Sequence, residues 1–387
     1  MKKPRTLFVI NNLNVGGVEK SLLGLLNALP RERYNIDLGV MELSGGFRNF
    51  VPESVNVFEL HALRKNRDIL RTRHGAFPET FRHNPLKSVK LMALYVMAKF
   101  ADTMMPFYKG FIERDESMPE YDVAISYQGP SEILDYYVSH FVKAKRKIGW
   151  IHFDVSKFFV RPKSVVACYS KFERIFVVSE DAKKSFDKIF PEFSGRTEVM
   201  FNIIDREANL RLADAEGVFS PRHDFCEIVT VGRIAPIKGQ VRAINAAAVL
   251  KSRGFRFIWH LVGAGEAFDE YRQLAVDKGV DDVVIFHGAC TNPYPYMKNC
   301  DVYMQPSLNE GFCIAIGEAK LFGVPIVATD FVGAREQLHD VANAQIIPEP
   351  DPEVIADAVI KAARMGRVEP PKAGIPPQID RLVDIFG

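Results

Sequence analysis

The sequence is poor in cysteine and contains no long apolar run. Its 5 cysteines among 387 residues form no Cys-x-x-Cys pair, and their odd number leaves one unpaired. We therefore expect buried thiols in a reducing compartment and no disulfide framework. No uninterrupted apolar stretch reaches the roughly 18 to 20 residues that a membrane-spanning helix needs. Because the chain passes from Met1 almost directly into a strand-like run, we expect no signal peptide and a cytoplasmic location.

Several common nucleotide-binding and metal-binding motifs are also missing. Neither half of the chain begins its sheet with Gly-x-Gly-x-x-Gly, which disfavours a nicotinamide-dependent oxidoreductase. The glycine–lysine–hydroxyl spacing of a P-loop is absent. Asp281-Asp282 is not an Asp-x-Asp pair, and we predict no metal site. The formal net charge of +2 gives no reason to expect nucleic acid as a partner.

Short β-rich runs instead alternate with helical patterns along a chain that is too long for one compact core. This pattern predicts an α/β fold with two doubly wound, Rossmann-like domains. The polar segment 206–225 is interpreted as the linker, and ligands should bind at the carboxyl ends of the strands. The predicted strands are 5–11, 35–41, 121–127, 145–151, 174–179, 226–232, 255–263, 283–286, 301–305 and 324–329; the predicted helices are 17–29, 132–140, 180–190, 239–252, 266–278, 312–322 and 352–364.

An insertion over about 61–113 does not fit this alternation. Its first part is strongly basic, and residues 86–111 carry apolar side chains at helical spacing, interrupted near Pro106. A basic amphipathic segment can lie on an anionic membrane surface. It can equally pack on its own domain with a solvated basic face, and the sequence leaves both readings open. The basic residues are Arg64, Lys65, Arg67, Arg71, Arg73, Arg82, Lys87, Lys90 and Lys99.

Two loops that lead from a strand into a helix carry candidate ligand-binding residues. The first has a glycine pair at 16–17 followed by Glu19, and glycines let a backbone approach a ligand closely. A tight turn also explains such a pair. The second loop, 231–239, carries Arg233 and Lys238, two cations that suit a diphosphate. Two solvated charges on a surface turn are the alternative.

A third element, residues 306–318, has two glutamates separated by seven residues. Glu310 lies in the loop before a predicted helix, and Glu318 lies about two turns inside it. The N–H groups of residues 311–313 open this helix and should point at phosphate. Glu318 has apolar neighbours, and a carboxylate is costly to bury unless it accepts hydrogen bonds. A ribose diol would donate two such bonds, whereas the alternative is satisfaction by the protein backbone.

These motifs together resemble the retaining glycosyltransferase family 4, which has the two-domain GT-B fold. The likeness extends through most of the chain, and the order of its last two signatures is specific. Three positions depart from the family pattern, Ala264, Asn309 and Cys313, but none of them removes a needed cation or carboxylate. The segments that carry the resemblance are Gly16-Gly17-Val18-Glu19, Trp150 to Asp154, Asn202 to Asp205, VGRIAPIKG at 231–239, VGAG at 262–265 and Glu310 to Glu318.

The resemblance implies a role for each matching residue. Arg233 and Lys238 would hold the donor diphosphate, and Glu318 the ribose. Glu310 would contact hydroxyls of the transferred sugar, while His152 would lie near the anomeric carbon without acting as a nucleophile. Further residues would line the substrate site: Gly16, Gly17, Glu19, Asn202, Gly232, Gly263, Gly265, Glu266 (near the base), Ser307, Gly311, Phe312 and Cys313.

The resemblance also implies an architecture of two facing domains with a cleft between them. The N-terminal domain, 1–205, would bind the acceptor, and the C-terminal domain, 206–372, would bind the sugar nucleotide. A helix at 373–387 would return to the N-terminal domain.

The implied activity is transfer, with retention, of a sugar from a nucleotide-diphosphate donor, UDP- or GDP-linked, to a glycan or lipid-linked acceptor. The biological setting would be the synthesis of cell-surface polysaccharide, with no cofactor and no metal. Peripheral contact with the inner face of the membrane is left open. Two alternatives remain: a sugar-nucleotide epimerase or hydrolase of the same fold, and a non-catalytic scaffold subunit that binds sugar nucleotides.

Overall fold

The computed structural model describes residues 3–64, 85–113, 115–222, 224–370 and 378–386. The chain divides into two compact units. The first comprises Met1–Asn14, Leu29–Phe201 and Pro377–Gly387, and the second comprises Val15–Ala28 and Asn202–Pro376.

The first unit is built on a seven-stranded parallel sheet with the order β3-β2-β1-β4-β5-β6-β7. Its strands are β1 (Arg5–Ile10), β2 (Asn35–Val40), β3 (Asn56–Glu59), β4 (Tyr121–Gly129), β5 (Ala144–Ile151), β6 (Arg174–Val177) and β7 (Thr197–Val199). Its helices are α2 (His61–Arg64), α3 (Pro85–Phe100), α4 (Met105–Lys109), α5 (Glu132–His140), α6 (Pro162–Tyr169), α7 (Glu180–Ile189) and α15 (Gln378–Phe386), with 3-10 turns at Arg48–Phe50 and Pro191–Arg196.

The second unit has a six-stranded parallel sheet with the order β10-β9-β8-β11-β12-β13. Its strands are β8 (Cys226–Val231), β9 (Phe257–Val262), β10 (Val284–Gly288), β11 (Val302–Gln305), β12 (Ile326–Thr329) and β13 (Ala344–Ile347). Its helices are α1 (Gly17–Ala28), α8 (Arg206–Ala213), α9 (Gln240–Ser252), α10 (Phe268–Asp277), α11 (Tyr294–Asn299), α12 (Ile314–Lys320), α13 (Ala334–Leu338) and α14 (Pro352–Ala363), with a 3-10 turn at Pro236–Lys238.

Both faces of the second sheet are covered, because successive side chains of a strand point to opposite faces. On β8, Ile228 packs into one apolar core and Val229 into the other, and Val302 and Tyr303 divide in the same way on β11. Parallel strands buried on both faces are expected to be rich in apolar residues, and β9 is apolar except for the buried His260. The predicted α/β class with two Rossmann-like sheets is confirmed.

The segment predicted as a linker, 206–225, begins instead with helix α8. Asp205 caps this helix, because its side chain accepts a hydrogen bond of 3.0 Å from the backbone N–H of Ala208. Ala213 is buried in the core of the second unit, and Leu210 packs against that core. Of the charges that suggested a linker, Glu207 and Arg211 are exposed on this short helix, and others, such as Asp214 and Glu216, follow its end.

The final helix, α15, packs on the sheet of the first unit. Leu382 is fully buried, and the ring of Phe386 lies edge-on to the ring of Phe8 with 6.0 Å between centroids. The Tyr34 hydroxyl donates a 2.8 Å hydrogen bond to the Val383 carbonyl. These contacts anchor the helix although residues far away in sequence supply them.

The insertion over 61–113 contains two helices in its described part, α3 and α4, and Pro106 lies in the first turn of α4. The predicted interruption near Pro106 is confirmed. All five of the predicted basic residues from Lys65 to Arg82 lie outside the described residues. No helix within the described ranges is both long enough and apolar enough to cross a bilayer.

Candidate functional site

The carboxyl ends of β8 and β11 form the centre of the candidate site in the second unit. These two strands are neighbours, and the chain order reverses between them, which is where open α/β sheets bind ligands. The loops that follow them are joined by a 2.9 Å hydrogen bond from the Leu308 N–H to the Ile237 carbonyl. Gly239 has φ +70°, and a Cβ there would overlap with the Pro306 carbonyl. The loops therefore meet at a point that only glycine permits.

Lys238 and Glu310 form a close ion pair at this edge. The Lys238 Nζ lies 2.7 Å from one carboxylate oxygen of Glu310 and 2.6 Å from the other. Burial alone would lower the pKa of Lys238. The Glu310 carboxylate beside it outweighs this effect, so the pKa lies above its ordinary value and the ammonium stays charged. The structure thus brings together the cation and the carboxylate that the sequence placed 72 residues apart.

A chain of buried polar side chains holds Glu310 in position. The Ser307 hydroxyl donates a 2.8 Å hydrogen bond to Glu310 Oε1, and Gln305 Nε2 donates to Ser307 Oγ at 2.9 Å. The Tyr303 hydroxyl in turn donates to Gln305 Oε1 at 2.7 Å. Gln305 and Tyr303 were not predicted, although both lie on the strand that leads into the predicted motif. A satisfied buried network of this kind fixes side-chain geometry.

Glu318, on helix α12, is buried and already has two side-chain partners. Lys20 Nζ lies 2.8 Å from Oε1 and 3.0 Å from Oε2, and the Tyr294 hydroxyl donates a 2.9 Å hydrogen bond to Oε1. The Lys20 ammonium also lies 4.5 Å from the centroid of the Tyr294 ring. Side chains therefore supply hydrogen bonds to the Glu318 carboxylate. The sequence had suggested the protein backbone as the alternative to a ribose. Lys20 and Tyr294 were not predicted, and Lys20 follows directly after the predicted loop.

Helix α1 reaches Glu318 because it packs on the segment around 202–205. The Ser21 hydroxyl donates a 2.6 Å hydrogen bond to Asn202 Oδ1, and a Cβ at Gly24 would overlap with the Ile203 carbonyl. The helix begins at Gly17, which lies against Ile314 of α12.

Gly16 and Glu19 lie beside each other in this helical start. A Cβ at Gly16 would overlap with a carboxylate oxygen of Glu19, and Glu19 is buried. Because Gly16 has no Cβ, the Glu19 carboxylate can occupy the space beside it. Local packing thus accounts for Gly16 but not for Gly17, and the contact of both glycines with substrate stays a prediction.

The turn after β9 is packed against the turn after β8. Gly263 has φ +151°, and a Cβ there would overlap with the Gly232 carbonyl. A Cβ at Gly265 would likewise overlap with the Ile234 carbonyl. Arg233 projects from this turn with a 61% exposed side chain, and its Nε lies 3.9 Å from Glu266, which is also exposed. Its guanidinium is therefore accessible, in contrast to the paired ammonium of Lys238.

The start of helix α12 differs from expectation at Cys313. When the Gln337 amide is oriented so that its polar atoms are satisfied, its oxygen accepts from the Cys313 N–H and its nitrogen donates to the Cys313 carbonyl, each at 3.2 Å. The Cys313 N–H therefore has a partner within the protein, and its contact with phosphate stays a prediction. Burial raises the pKa of the Cys313 thiol, which stays neutral. The neighbouring Gly311 and Phe312 complete this loop.

His152, the predicted residue that belongs to the first unit, follows β5. Burial lowers the pKa of its imidazole to about 3, although the ring also bonds the backbone of Tyr127. Within the described residues, its buried Nε2 atom has no hydrogen-bond partner. An unsatisfied buried nitrogen on a neutral ring is suited to a hydrogen bond from a ligand hydroxyl.

We expect the His152 imidazole to remain neutral from pH 5 to 8. The folded chain binds this proton only near pH 3 and the unfolded chain near 6.5, so His152 lowers the free energy of unfolding as the pH falls through that interval. Imidazole NMR shifts measured against pH, with the signal assigned by its loss in His152→Asn, test this. A titration step between pH 5.5 and 7.5 would contradict it.

No group of three or more His, Cys, Asp or Glu side chains suited to a metal ion occurs among the residues that the structure describes. The acidic residues of the site are instead engaged with cations and hydroxyl donors.

Comparison with known proteins finds sequence similarity over the segment that contains this candidate site. The family model described as glycosyl transferases group 1 matches residues 219–372, which contain both glutamates and both predicted cations. The amylovoran biosynthesis glycosyltransferase AmsK of Erwinia amylovora is 26% identical over 40% of this chain, and the chain spans 39% of that protein's length. The lipopolysaccharide core biosynthesis glycosyltransferase LpsE of Rhizobium meliloti is 24% identical, with 89% of this chain and 84% of LpsE covered.

Solved structures match nearly the whole chain in fold. Anabaena Alr3699/HepE in complex with UDP and glucose superposes with a TM-score of 0.64 at 18% identity, with 99% of this chain and 95% of that chain covered. WaaG, a glycosyltransferase involved in lipopolysaccharide biosynthesis, gives a TM-score of 0.59 at 16% identity, with 98% and 99% covered. These likenesses confirm the predicted GT-B fold. Residues 219–372 are similar in sequence to glycosyl transferases group 1, and the chain has the fold of such enzymes.

Proposed function

We propose that this protein is a retaining, metal-independent glycosyltransferase of family 4 that acts in the synthesis of a cell-surface polysaccharide. The observation that carries the proposal is the Lys238–Glu310 pair at the switch point of the second sheet, within the segment matched by the family model. The names of AmsK and LpsE give them as glycosyltransferases of amylovoran biosynthesis and of lipopolysaccharide core biosynthesis. Those names favour transfer over epimerisation, hydrolysis or a scaffold role.

The second unit, predicted as a domain over 206–372, would bind the donor. Arg233 is exposed and accessible to a diphosphate, and Lys238 adds a positive charge one turn away. Glu318 would accept hydrogen bonds from the ribose hydroxyls, for which Lys20 must release one of its oxygens. UDP or GDP is the expected nucleotide, and the complexes of HepE with UDP support the first. Two side-chain cations would supply the charge that a metal supplies elsewhere.

The first unit, predicted as a domain over 1–205 joined by the helix at 373–387, would bind the acceptor. His152 would accept a hydrogen bond from a hydroxyl of the transferred sugar, and Glu310 would contact other hydroxyls. As the bond from the anomeric carbon to the diphosphate breaks, the acceptor oxygen bonds to the same face of that carbon. The acceptor proton passes to the departing phosphate oxygen, so the chain needs no separate general base.

Sugar transfer without metal tests this function. The purified chain is incubated in EDTA with UDP- or GDP-sugars and a panel of glycan and lipid-linked acceptors, and NMR determines the anomeric configuration of the product. Retained configuration in an acceptor-dependent product is expected. Sugar released without acceptor would favour hydrolysis, an isomerised donor would favour an epimerase, and inverted configuration would refute the family 4 assignment.

Helix α3 supports peripheral contact with an anionic membrane. Leu86, Val96, Met97 and Phe100 of this helix expose 85%, 44%, 59% and 89% of their area. Lys90 and Lys99 are exposed on the same helix. An apolar face with adjacent cations suits insertion among anionic head groups.

We expect the double substitution Leu86→Ser with Phe100→Ser to abolish most binding to liposomes that contain phosphatidylglycerol. Together these side chains provide the most exposed apolar area on helix α3. The matched control, Val276→Ser with Val354→Ser, removes exposed apolar side chains from the second unit. Co-sedimentation measures the bound fraction. Equal binding by the two double variants, or no binding by the wild type, would refute the membrane contact.

A further inference from the structure

The first unit contains a cavity of about 780 Å³ at the carboxyl ends of its central strands. Asn11 follows β1, Met41 follows β2, and Gln128 lies near the end of β4, and all three line the cavity. The strand order reverses between β1 and β4. The cavity therefore occupies the switch point of the first sheet, where a doubly wound sheet binds a ligand.

One side of the cavity is polar and rigidly held. Arg161 Nη1 donates a 2.8 Å hydrogen bond to the Glu132 carboxylate, and both side chains line the cavity while remaining mostly buried. Asp135 accepts hydrogen bonds from the Ser126 hydroxyl at 2.6 Å and from the Ser131 N–H at 2.8 Å. Burial raises the pKa of Asp135 to about 7. Fixed carboxyl and guanidinium groups of this kind suit the hydroxyls of a sugar.

The other side is apolar and leads to the surface. Phe159 lines the cavity and is 80% exposed, which places its ring at the mouth. Tyr95 and the exposed Lys99 of α3 also line the cavity, and the same helix carries the exposed apolar side chains described above. The apolar side chains of the wall are Met104, Phe107, Tyr108, Val160 and Val165.

We propose that this cavity binds an amphiphilic acceptor, with its hydroxylated head against Glu132 and Arg161 and its hydrocarbon part leaving past Phe159. A free glycan would offer nothing apolar to the hydrophobic wall, whereas a simple hydrocarbon would lie against the polar side of the cavity without hydrogen-bonding to it. The route past Phe159 and along α3 would let the hydrocarbon remain close to a membrane. The inference rests on the proposed function, since it names the acceptor class of that reaction.

Binding of n-octyl β-D-glucoside, kept below its micellar concentration and without donor, tests the proposal on the full chain. Saturable binding is expected, and glucose or octanol alone should bind at least about tenfold more weakly, because each engages one side of the cavity. Phe159→Ser should weaken octyl glucoside binding about fivefold or more. Phe50→Ser is the control: it removes an exposed phenyl ring of the same unit that does not line the cavity, and it should leave binding unchanged.

Ile133→Trp provides a second variant, because it fills the cavity without introducing charge. Unchanged thermal unfolding and nucleotide binding show that both variants remain folded. Equal binding by wild type, Phe159→Ser and Ile133→Trp, or equal affinity for glucose and octyl glucoside, would overturn the proposal. Octyl glucoside binding without any sugar transfer would refute the proposed function and leave the cavity assignment intact. Transfer only to non-amphiphilic glycans would refute the cavity assignment and leave the proposed function intact.

Discussion

Replacement of Lys238 by alanine is expected to lower kcat by about 100- to 1,000-fold, the range found when one preorganised group that stabilises developing negative charge is removed. The Lys238 ammonium is fixed between both oxygens of Glu310, so little reorganisation is needed when charge develops on the departing diphosphate. KM should change less than kcat, because the effect is greatest in the transition state. Initial rates of nucleotide release in the presence of acceptor measure both constants.

Lys251→Ala is the matched control for this substitution. Lys251 also pairs with a carboxylate, that of Asp282, but the pair is exposed on the surface of the same unit. We expect the control to retain wild-type kcat. Because Glu310 loses its cation in the Lys238 variant, far-UV circular dichroism and nucleotide binding must first show that the variant is folded. A folded variant with wild-type turnover would refute the role of Lys238.

Replacement of Lys20 by methionine is expected to lower the free energy of unfolding of the second unit by about 3 kcal/mol. The substitution leaves the buried Glu318 carboxylate with Tyr294 as its described side-chain partner. Glu318→Gln should lower the free energy of unfolding by less. The cation that loses its carboxylate partner in that variant, Lys20, is more exposed to solvent than Glu318. The double variant should be more stable than the sum of the two losses predicts, with a coupling above about 1 kcal/mol.

Tryptophan fluorescence can report on the second unit separately. The chain has two tryptophans, Trp150 in the first unit and Trp259 in the second, so Trp150→Phe leaves one reporter in the second unit. The exposed Lys251–Asp282 pair supplies the control cycle, with a coupling expected below about 1 kcal/mol. Urea titrations of each variant give the free energies. A Lys20–Glu318 coupling no larger than that of the control pair would contradict the buried ion pair.

The sequence predicted the sheets well because parallel strands are short, apolar and punctuated by helical patterns. It also identified Lys238 and Glu310, which lie at strand ends where the fold brings loops together. It missed helix α8, where charged residues suggested a linker, and strands β3, β7 and β13, which lie at the edges of their sheets. Short edge strands depend on their neighbours more than on their own composition.

Contacts between distant parts of the chain were the hardest to predict. Lys20 and Glu318 are 298 residues apart, and their pairing depends on helix α1 packing against 202–205. The sequence pointed to the loop before Lys20 because glycines are a local signal, whereas a lysine on a helix usually indicates a solvated face. Gln337 likewise satisfies Cys313 from another helix, which a local reading of the α12 start could not show.

The central claim is that the second unit binds the nucleoside diphosphate of the donor without a metal. Isothermal titration of UDP, GDP and ADP into the EDTA-treated wild type and Glu318→Ala tests it most directly. The account predicts saturable binding of UDP or GDP to the wild type and at least about 100-fold weaker binding to a folded Glu318→Ala variant, as expected when hydrogen bonds to a buried charged group are lost. Wild-type protein that binds none of the three nucleotides, or a variant that binds as tightly as wild type, would contradict it.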